Sequence, residues 1–278
     1  MTKPWPLSPA DTAFIQHLVT VYLSHRPLFY SFIRPQEGWL FHRHRGLIQA
    51  PILDFGCGDG FFAYQVFGTR AIDVGLDIVR SRISASPQSP AYQKIVTYSG
   101  QKIPFPDKYF STVISNCVFE HLPHLESNLT EIYRVLKPGG HLLTTVATNS
   151  WEEFFLGSRF LGQPYLRWWR RRQAHINLLS LKQWQTLLRQ TGFSPVITRG
   201  YLSDRLVRYL EMTHYLSWPS LLAYKLSGRW VWWSGFYSWL NLSQALAATL
   251  IRSLTVPPSH SGAVFLALTK PLYSKATG

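Results

Sequence analysis

The stretch Asp54, Phe55, Gly56, Cys57, Gly58, Asp59 and Gly60, directly after the apolar Pro51, Ile52 and Leu53, limits what this chain can fold into more than any other. An apolar run ending in alternating glycines reads as a buried strand whose backbone turns sharply and lies close to a ligand, because glycine has no Cβ to obstruct either. This is a cofactor loop. A dinucleotide fingerprint needs glycines at the first, third and sixth places, so that a pyrophosphate sits over a helix N-terminus. Counted from Gly56, the sixth place is Phe61. A different set stands here: an extra glycine at Gly60, an acid at Asp54, and Asp77 after the next apolar run, Ala71 to Leu76. Asp77 falls where the second strand of a βαβ unit ends, and there a carboxylate can accept both ribose hydroxyl protons.

Further apolar runs place strands near 51–55, 71–76, 94–98, 112–116 and 141–147, with helices between them. Alternating strands and helices imply a parallel sheet with helices on both faces. At 278 residues and 46% apolar content, the chain can bury one substantial core. Its two cysteines, Cys57 and Cys117, lie far apart, which suits a reducing compartment and offers no disulfide framework. The histidines show no ligand spacing in sequence, so no metal is expected. Near the start, Ser8 and Pro9 open a helix in which Phe14, Ile15, Leu18, Val19, Tyr22 and Leu23 recur at helical spacing. The expected role of this segment is a cap on the sheet or on the cofactor, and no secretory signal is read there.

The loop and Asp77 are joined by three further ordered motifs: Lys102 to Asp107 with Phe110 to Val113; Phe119, Glu120 and His121; and Glu131 to Gly140. Together they make residues 45–147 resemble the class I S-adenosylmethionine-dependent methyltransferases, specifically the type 11 group. That resemblance implies an α/β, Rossmann-like seven-stranded methyltransferase sheet, mostly parallel, with a sixth strand near 194–200 and an antiparallel last strand at 263–269. It implies S-adenosylmethionine as cofactor, with Asp54, Gly56, Cys57, Gly58 and Gly60 around the methionine part, Asp77 on the ribose and Ile78 against the adenine. Where such proteins usually carry an acid near the adenine amino group, this chain has Ser99 and Gln101, so only a contact without charge assistance is available. Asn116 and His121 follow strand four, beside the cofactor, and His121 is the leading general base, since an imidazole pKa near 6.5 suits proton removal at neutral pH. His175 and Asn177 are weaker candidates on the acceptor side.

The last two strands of such a sheet are normally joined briefly, yet more than 60 residues separate them here. The expected organisation is a helical N-terminal cap (1–45), a cofactor-binding core (46–150), an acceptor-side segment with the sixth strand (151–203), a hydrophobic and basic helical insertion (204–260), and the last strand with its tail (261–278). Residues 1–153 hold 13 Lys or Arg against 12 Asp or Glu, whereas residues 154–278 hold 15 against 2. Nine of the eleven tryptophans also lie at or after Trp151. Within the insertion, Val231 to Ile251 carries no charge. A single membrane span is excluded, because the chain must return to the same sheet. Arg208, Glu211, His214 and Lys225 are costly at a bilayer centre, so helices lying in the interface are favoured. The Arg167 to Arg172 segment, with Trp168 and Trp169 inside it, suits the same surface.

These features point to a methyltransferase on the inner, cytoplasmic face of a membrane, peripheral to it and acting on a lipophilic or lipid-linked small molecule. An RNA methyltransferase is the alternative, since basic residues interleaved with aromatics also suit nucleic acid. Against it, Asn116, Cys117, Val118 and Phe119 lack the Asn/Asp-Pro-Pro-aromatic motif of the amino-methylating nucleic-acid enzymes. A membrane-interaction protein with a retained cofactor fold and no turnover is the third reading.

Overall fold

The computed structural model describes residues 7–78, 90–232, 242–254 and 256–272. The chain divides into two compact units, one comprising residues 41–148, 169–199 and 264–278, the other residues 1–40, 149–168 and 200–263.

Seven strands form one sheet: β1 (Ile52–Phe55), β2 (Ile72–Ile78), β3 (Tyr92–Tyr98), β4 (Phe110–Asn116), β5 (Leu136–Ala147), β6 (Ser194–Tyr201) and β7 (Ala263–Thr269), in the order β3-β2-β1-β4-β5-β7-β6. The pairs β1–β2, β1–β4, β2–β3 and β4–β5 are parallel. By contrast β7 runs antiparallel to β5: the amide of Gly139, near the start of β5, donates to the carbonyl of Lys270, just past the end of β7, at 2.7 Å, and the Lys270 amide donates to Gly140 at 2.9 Å. Every residue of β1 and six of the seven in β7 are buried. Their near-continuous apolar sequences follow from cover on both faces. At the edge, β3 buries Tyr92 and Tyr98 while Gln93, Lys94 and Thr97 face solvent.

Several strand boundaries differ from the sequence expectation: β2 runs on to Ile78 rather than 76, and β4 begins at Phe110 rather than 112. Strand β3 begins at Tyr92 rather than 94, and β5 at Leu136 rather than 141. The turn-like Lys137, Pro138, Gly139 and Gly140 lie inside β5 as an irregularity, where the register with β4 jumps from Phe110↔Leu136 to Thr112↔His141. Only glycine fits this bulge: Gly139 has φ +78°, and a Cβ on Gly140 would lie 2.8 Å from the Ser111 carbonyl oxygen.

Helix α3 (Phe61–Phe67) springs from the glycine loop after β1. Helix α4 (Leu125–Val135) buries Leu125, Leu129 and Ile132 along one stripe, in the core shared by Leu53, Phe55, Val113, Leu142 and Leu266. A capping box between Ser180 and Gln183 starts α7 (Leu181–Gln190), and the indole of its Trp184 donates to the Ala147 carbonyl at 3.0 Å.

The other unit is helical. Helix α1 (Pro9–His25) begins with the Ser8–Asp11 capping box and packs on α10 (Leu242–Arg252); the Trp39 indole donates to Asp11 at 2.8 Å. Buried Glu37, on α2 (Tyr30–Arg43), receives the Tyr201 hydroxyl at 2.9 Å and Arg34 at 2.6 Å. Short α5 (Ser150–Glu153) precedes α6 (Leu156–Gln173), which breaks at Gly162. Glu211, on α8 (Asp204–Leu216), accepts from the amides of Leu156 and Gly157 and from the Tyr165 hydroxyl, so that it caps the start of α6. Helix α9 (Trp218–Ser227) ends at left-handed Gly228. The charge-free run Val231 to Ile251 is therefore not one helix: Val231 and Trp232 lie outside any helix, 233–241 fall outside the described residues, and α10 starts at Leu242. Among the described residues, no helix is long and apolar enough to cross a membrane.

Candidate active site

The carboxyl ends of β3, β2, β1 and β4 lie side by side, and each contributes to one rim. After β1 the amides of Gly56 and Cys57 both donate to the Leu76 carbonyl, at 2.8 and 3.2 Å, which folds the glycine loop back onto β2. Gly56, Gly58 and Gly60 all have positive φ. A side chain on Gly56 would collide with Val118 of the β4 loop, whereas a Cβ on Gly58 would meet nothing within 4 Å. Gly58 thus faces open space in a conformation that L side chains rarely adopt, which leaves room for a ligand to approach its backbone closely. The Gly58 amide donates to Asp77 Oδ2 at 2.7 Å and the Ile78 amide to Oδ1 at 2.7 Å, so loop and carboxylate are locked together. Ile78 is 46% exposed at this rim. Its neighbour is the turn after β3: a Cβ on Gly100, between Ser99 and Gln101, would sit 3.5 Å from Ile78. Ser99 and Gln101 themselves are exposed. The open glycine face, the adjacent carboxylate and the half-exposed apolar side chain fit a nucleoside carrying an amino-acid tail.

Asp54 is buried beneath the loop and accepts the Tyr92 hydroxyl at 2.7 Å. Burial pushes its carboxyl up to about 7, against the opposing effect of the Tyr92 hydrogen bond, and nearby Asp77 adds to the rise. Tyr92 escaped sequence reasoning. The signal was Gly75 in the middle of an apolar strand: a Cβ there would press to 3.0 Å on the Tyr92 ring, so the missing side chain lets that ring lie across β2. Burial raises the thiol pKa of Cys57 well above its ordinary value. That sulfur is held protonated at neutral pH, so Cys57 serves the loop through its backbone.

Two of the sequence motifs owe their spacing to one arginine. Arg134 donates to the carbonyls of Ile103 and Phe105 and pairs with Asp107 and Glu131, while Glu131 accepts the Ile103 amide at 2.9 Å. These bonds hold the Lys102 to Asp107 loop against α4.

On the β4 side, Asn116 Oδ1 accepts the Thr145 hydroxyl at 2.7 Å. Cys117 follows with φ +53°, an unusual backbone for a residue with a side chain. The next turn carries Glu120, buried, and His121, whose Nδ1 lies 3.0 Å from the Ala174 carbonyl. A carbonyl only accepts, so Nδ1 holds the proton and Nε2 keeps its lone pair. His175 lies beside it, ring centroids 5.1 Å apart. Burial, with His121 and Arg170 nearby, pushes His175 down to about 3, so it is neutral at pH 7 and a weak proton acceptor. Asn177 binds the two segments: its side chain donates to the carbonyls of Phe119 and Leu122, and its amide to that of Glu120. Carboxylate and imidazole ligand atoms of Glu120, His121 and His175 lie within 4.8 Å of one another. The sequence expectation of no metal spacing missed this cluster, because His175 is 54 positions from His121.

A parallel sheet with a glycine loop after its first strand, an acid after its second and an antiparallel last strand defines a nucleoside-cofactor fold of the methyltransferase type. A family model described as a methyltransferase domain matches residues 16–197. The chain belongs to the class I S-adenosylmethionine-dependent methyltransferases, and S-adenosylmethionine is the cofactor of that family. It is 30% identical over 116 residues to a demethylmenaquinone methyltransferase of Symbiobacterium thermophilum, covering 37% of this chain and 45% of that protein. To the mitochondrial ubiquinone biosynthesis O-methyltransferase of Mus musculus it is 30% identical over 130 residues, covering 44% and 35%. The chain thus spans less than half the length of either relative. In fold it is similar to a SAM-dependent methyltransferase of Thermotoga maritima, with TM-score 0.52, 15% identity and coverage of 94% and 99%.

Proposed function

We propose that this protein methylates a lipophilic or lipid-linked small molecule while docked on an anionic membrane surface at the cytoplasmic side. The observation that carries the methyl-transfer part is the lock between the Gly58 amide and Asp77 at an otherwise open glycine face. When bound, S-adenosylmethionine supplies a methyl group already activated by its sulfonium. Asp54 and the open backbone face of the Gly56 to Gly60 loop would hold the methionine part, Asp77 the ribose, and Ile78 the adenine, with Ser99, Gln101 and Asn116 at the margin. The chain's remaining tasks are to align the acceptor, exclude water and take a proton where the acceptor has one. His121 presents a basic Nε2 for that proton. His175, held neutral, serves to orient rather than to accept.

The lipophilic acceptor and membrane surface rest on α8 and α9. Tyr209, Met212 and Leu216 are exposed along one side of α8, and Trp218, Leu221, Leu222 and Leu226 along α9, with Trp218 67% exposed. Exposed Arg205, Lys225 and Arg229 flank them. Large apolar and aromatic side chains edged by basic ones suit a headgroup boundary, and exposed leucines contribute nothing to gripping phosphate. Two relatives are named for steps on quinone precursors, molecules of the same lipophilic kind. Sedimentation with phosphatidylglycerol-containing vesicles tests the surface, and calorimetry with S-adenosylmethionine tests the cofactor site. Protein that stays in the supernatant at low salt, or that binds RNA instead, would overturn the membrane reading.

A further inference from the structure

We infer that Glu120, His121 and His175 form a binding site for a divalent first-row transition cation such as Zn²⁺, Fe²⁺ or Mn²⁺. The three ligand atoms come from two loops and converge to within 4.8 Å of one another. Two imidazoles and one carboxylate are a donor set for such ions, and this number of protein ligands leaves coordination positions open. Each donor is presented in the form a cation needs. The His121 Nδ1–H donates to the Ala174 carbonyl at 3.0 Å, which fixes the ring and leaves the lone pair on Nε2. The His175 ring lies beside that of His121, centroids 5.1 Å apart. Glu120 is 1% exposed, and a carboxylate so far from water is stabilised by a facing cation.

The scaffold is built for the convergence. Ala174 and Cys117, which precede the two ligand-bearing turns, both hold positive φ, at +54° and +53°. Non-glycine residues in that region cost energy and cluster where the surrounding structure holds a site in place. Asn177 and the Glu120 carbonyl cross-link the two turns, with the amides of Ile176 and Asn177 donating to that carbonyl at 2.7 and 2.9 Å.

A consequence rests on the methyltransferase reading. The cluster follows β4, at the same sheet end as the glycine loop, so an oxygen of the acceptor could occupy an open coordination position. The cation would lower that hydroxyl's pKa, as metals do for bound water. His121 Nε2 would then be a ligand rather than the base, and the acidified hydroxyl would release its proton to solvent water.

The test uses the full chain, free of any affinity tag, stripped with chelator and dialysed against Zn²⁺ or Co²⁺, with bound metal counted by atomic emission. One equivalent per chain and visible Co²⁺ absorption bands are expected. Glu120→Gln and His175→Gln should each weaken binding by at least tenfold, while His124→Gln, outside the cluster, should not. Titration of each variant with S-adenosylmethionine by calorimetry reports its folding independently. Failure to load metal, or loading that survives the combined Glu120→Gln, His121→Asn and His175→Gln changes, overturns the site. Metal binding without S-adenosylmethionine binding would leave the cation site standing and remove the methyltransferase reading; cofactor binding without metal would do the reverse.

Discussion

In the loop from Gly56 to Gly60 the contacts that shape the site are made by backbone: three glycines at positive φ, two amides on the Leu76 carbonyl, and the Gly58 amide on Asp77. Along α8 and α9 the features that bear on the proposed docking are side chains, apolar and basic, spread over two dozen residues with no single geometry required of any one. The first region tolerates almost no substitution because a Cβ or a changed φ alters the site itself. The second tolerates many, since interfacial binding sums small contributions. A single change should therefore abolish function in the loop and only grade it in the helices.

The comparison breaks first at Gly58. Gly58→Arg should eliminate S-adenosylmethionine binding in calorimetry, because the side chain enters the open face; an affinity like the parent's would show that the loop is not the cofactor site. Next comes Asp54. Its folded pKa of about 7 lies above the ordinary 3.8, so the apoprotein holds this proton more tightly than the unfolded chain does. Stability from this group is full below pH 4 and is lost as pH rises through 7, by up to about 4 kcal/mol. Asp54→Asn should flatten that slope in denaturant titrations. Cofactor affinity runs the other way, since an ionised Asp54 attracts the methionine ammonium: it should climb roughly tenfold between pH 6 and pH 8.

The helices should respond in smaller steps. Trp218→Ala should weaken vesicle binding by about fivefold, on the order of 1 kcal/mol for partial burial of one large apolar side chain, with S-adenosylmethionine affinity unchanged. Lys225→Gln should cost up to about 1 kcal/mol at low salt, and the loss should fade as ionic strength rises. If Trp218→Ala removed vesicle binding altogether, one pocket-like contact would be carrying the docking and the contrast with the loop would fail.

Legibility in the sequence followed the same divide. The order of strands, the loop and Asp77 could be read directly, since glycine spacing and apolar runs are local constraints. The start of β5 and the partner of Asp54 could not. Turn-forming Pro138, Gly139 and Gly140 hide a strand that tolerates them as a bulge, and Tyr92 reaches Asp54 only because β2 and β3 are neighbours. The long charge-free run Val231 to Ile251 also misleads, because hydropathy alone does not show where α10 begins.

What the sequence determined by itself was the family and the backbone of its glycine loop, because positive φ leaves glycine as the residue of choice at Gly56, Gly58 and Gly60. What the tertiary structure alone decided was the meeting of Glu120 and His121 with His175. That meeting depends on two turns held together by Asn177 and by backbone bonds to the Glu120 carbonyl, contacts between segments whose separation along the chain carries no trace of their proximity in space.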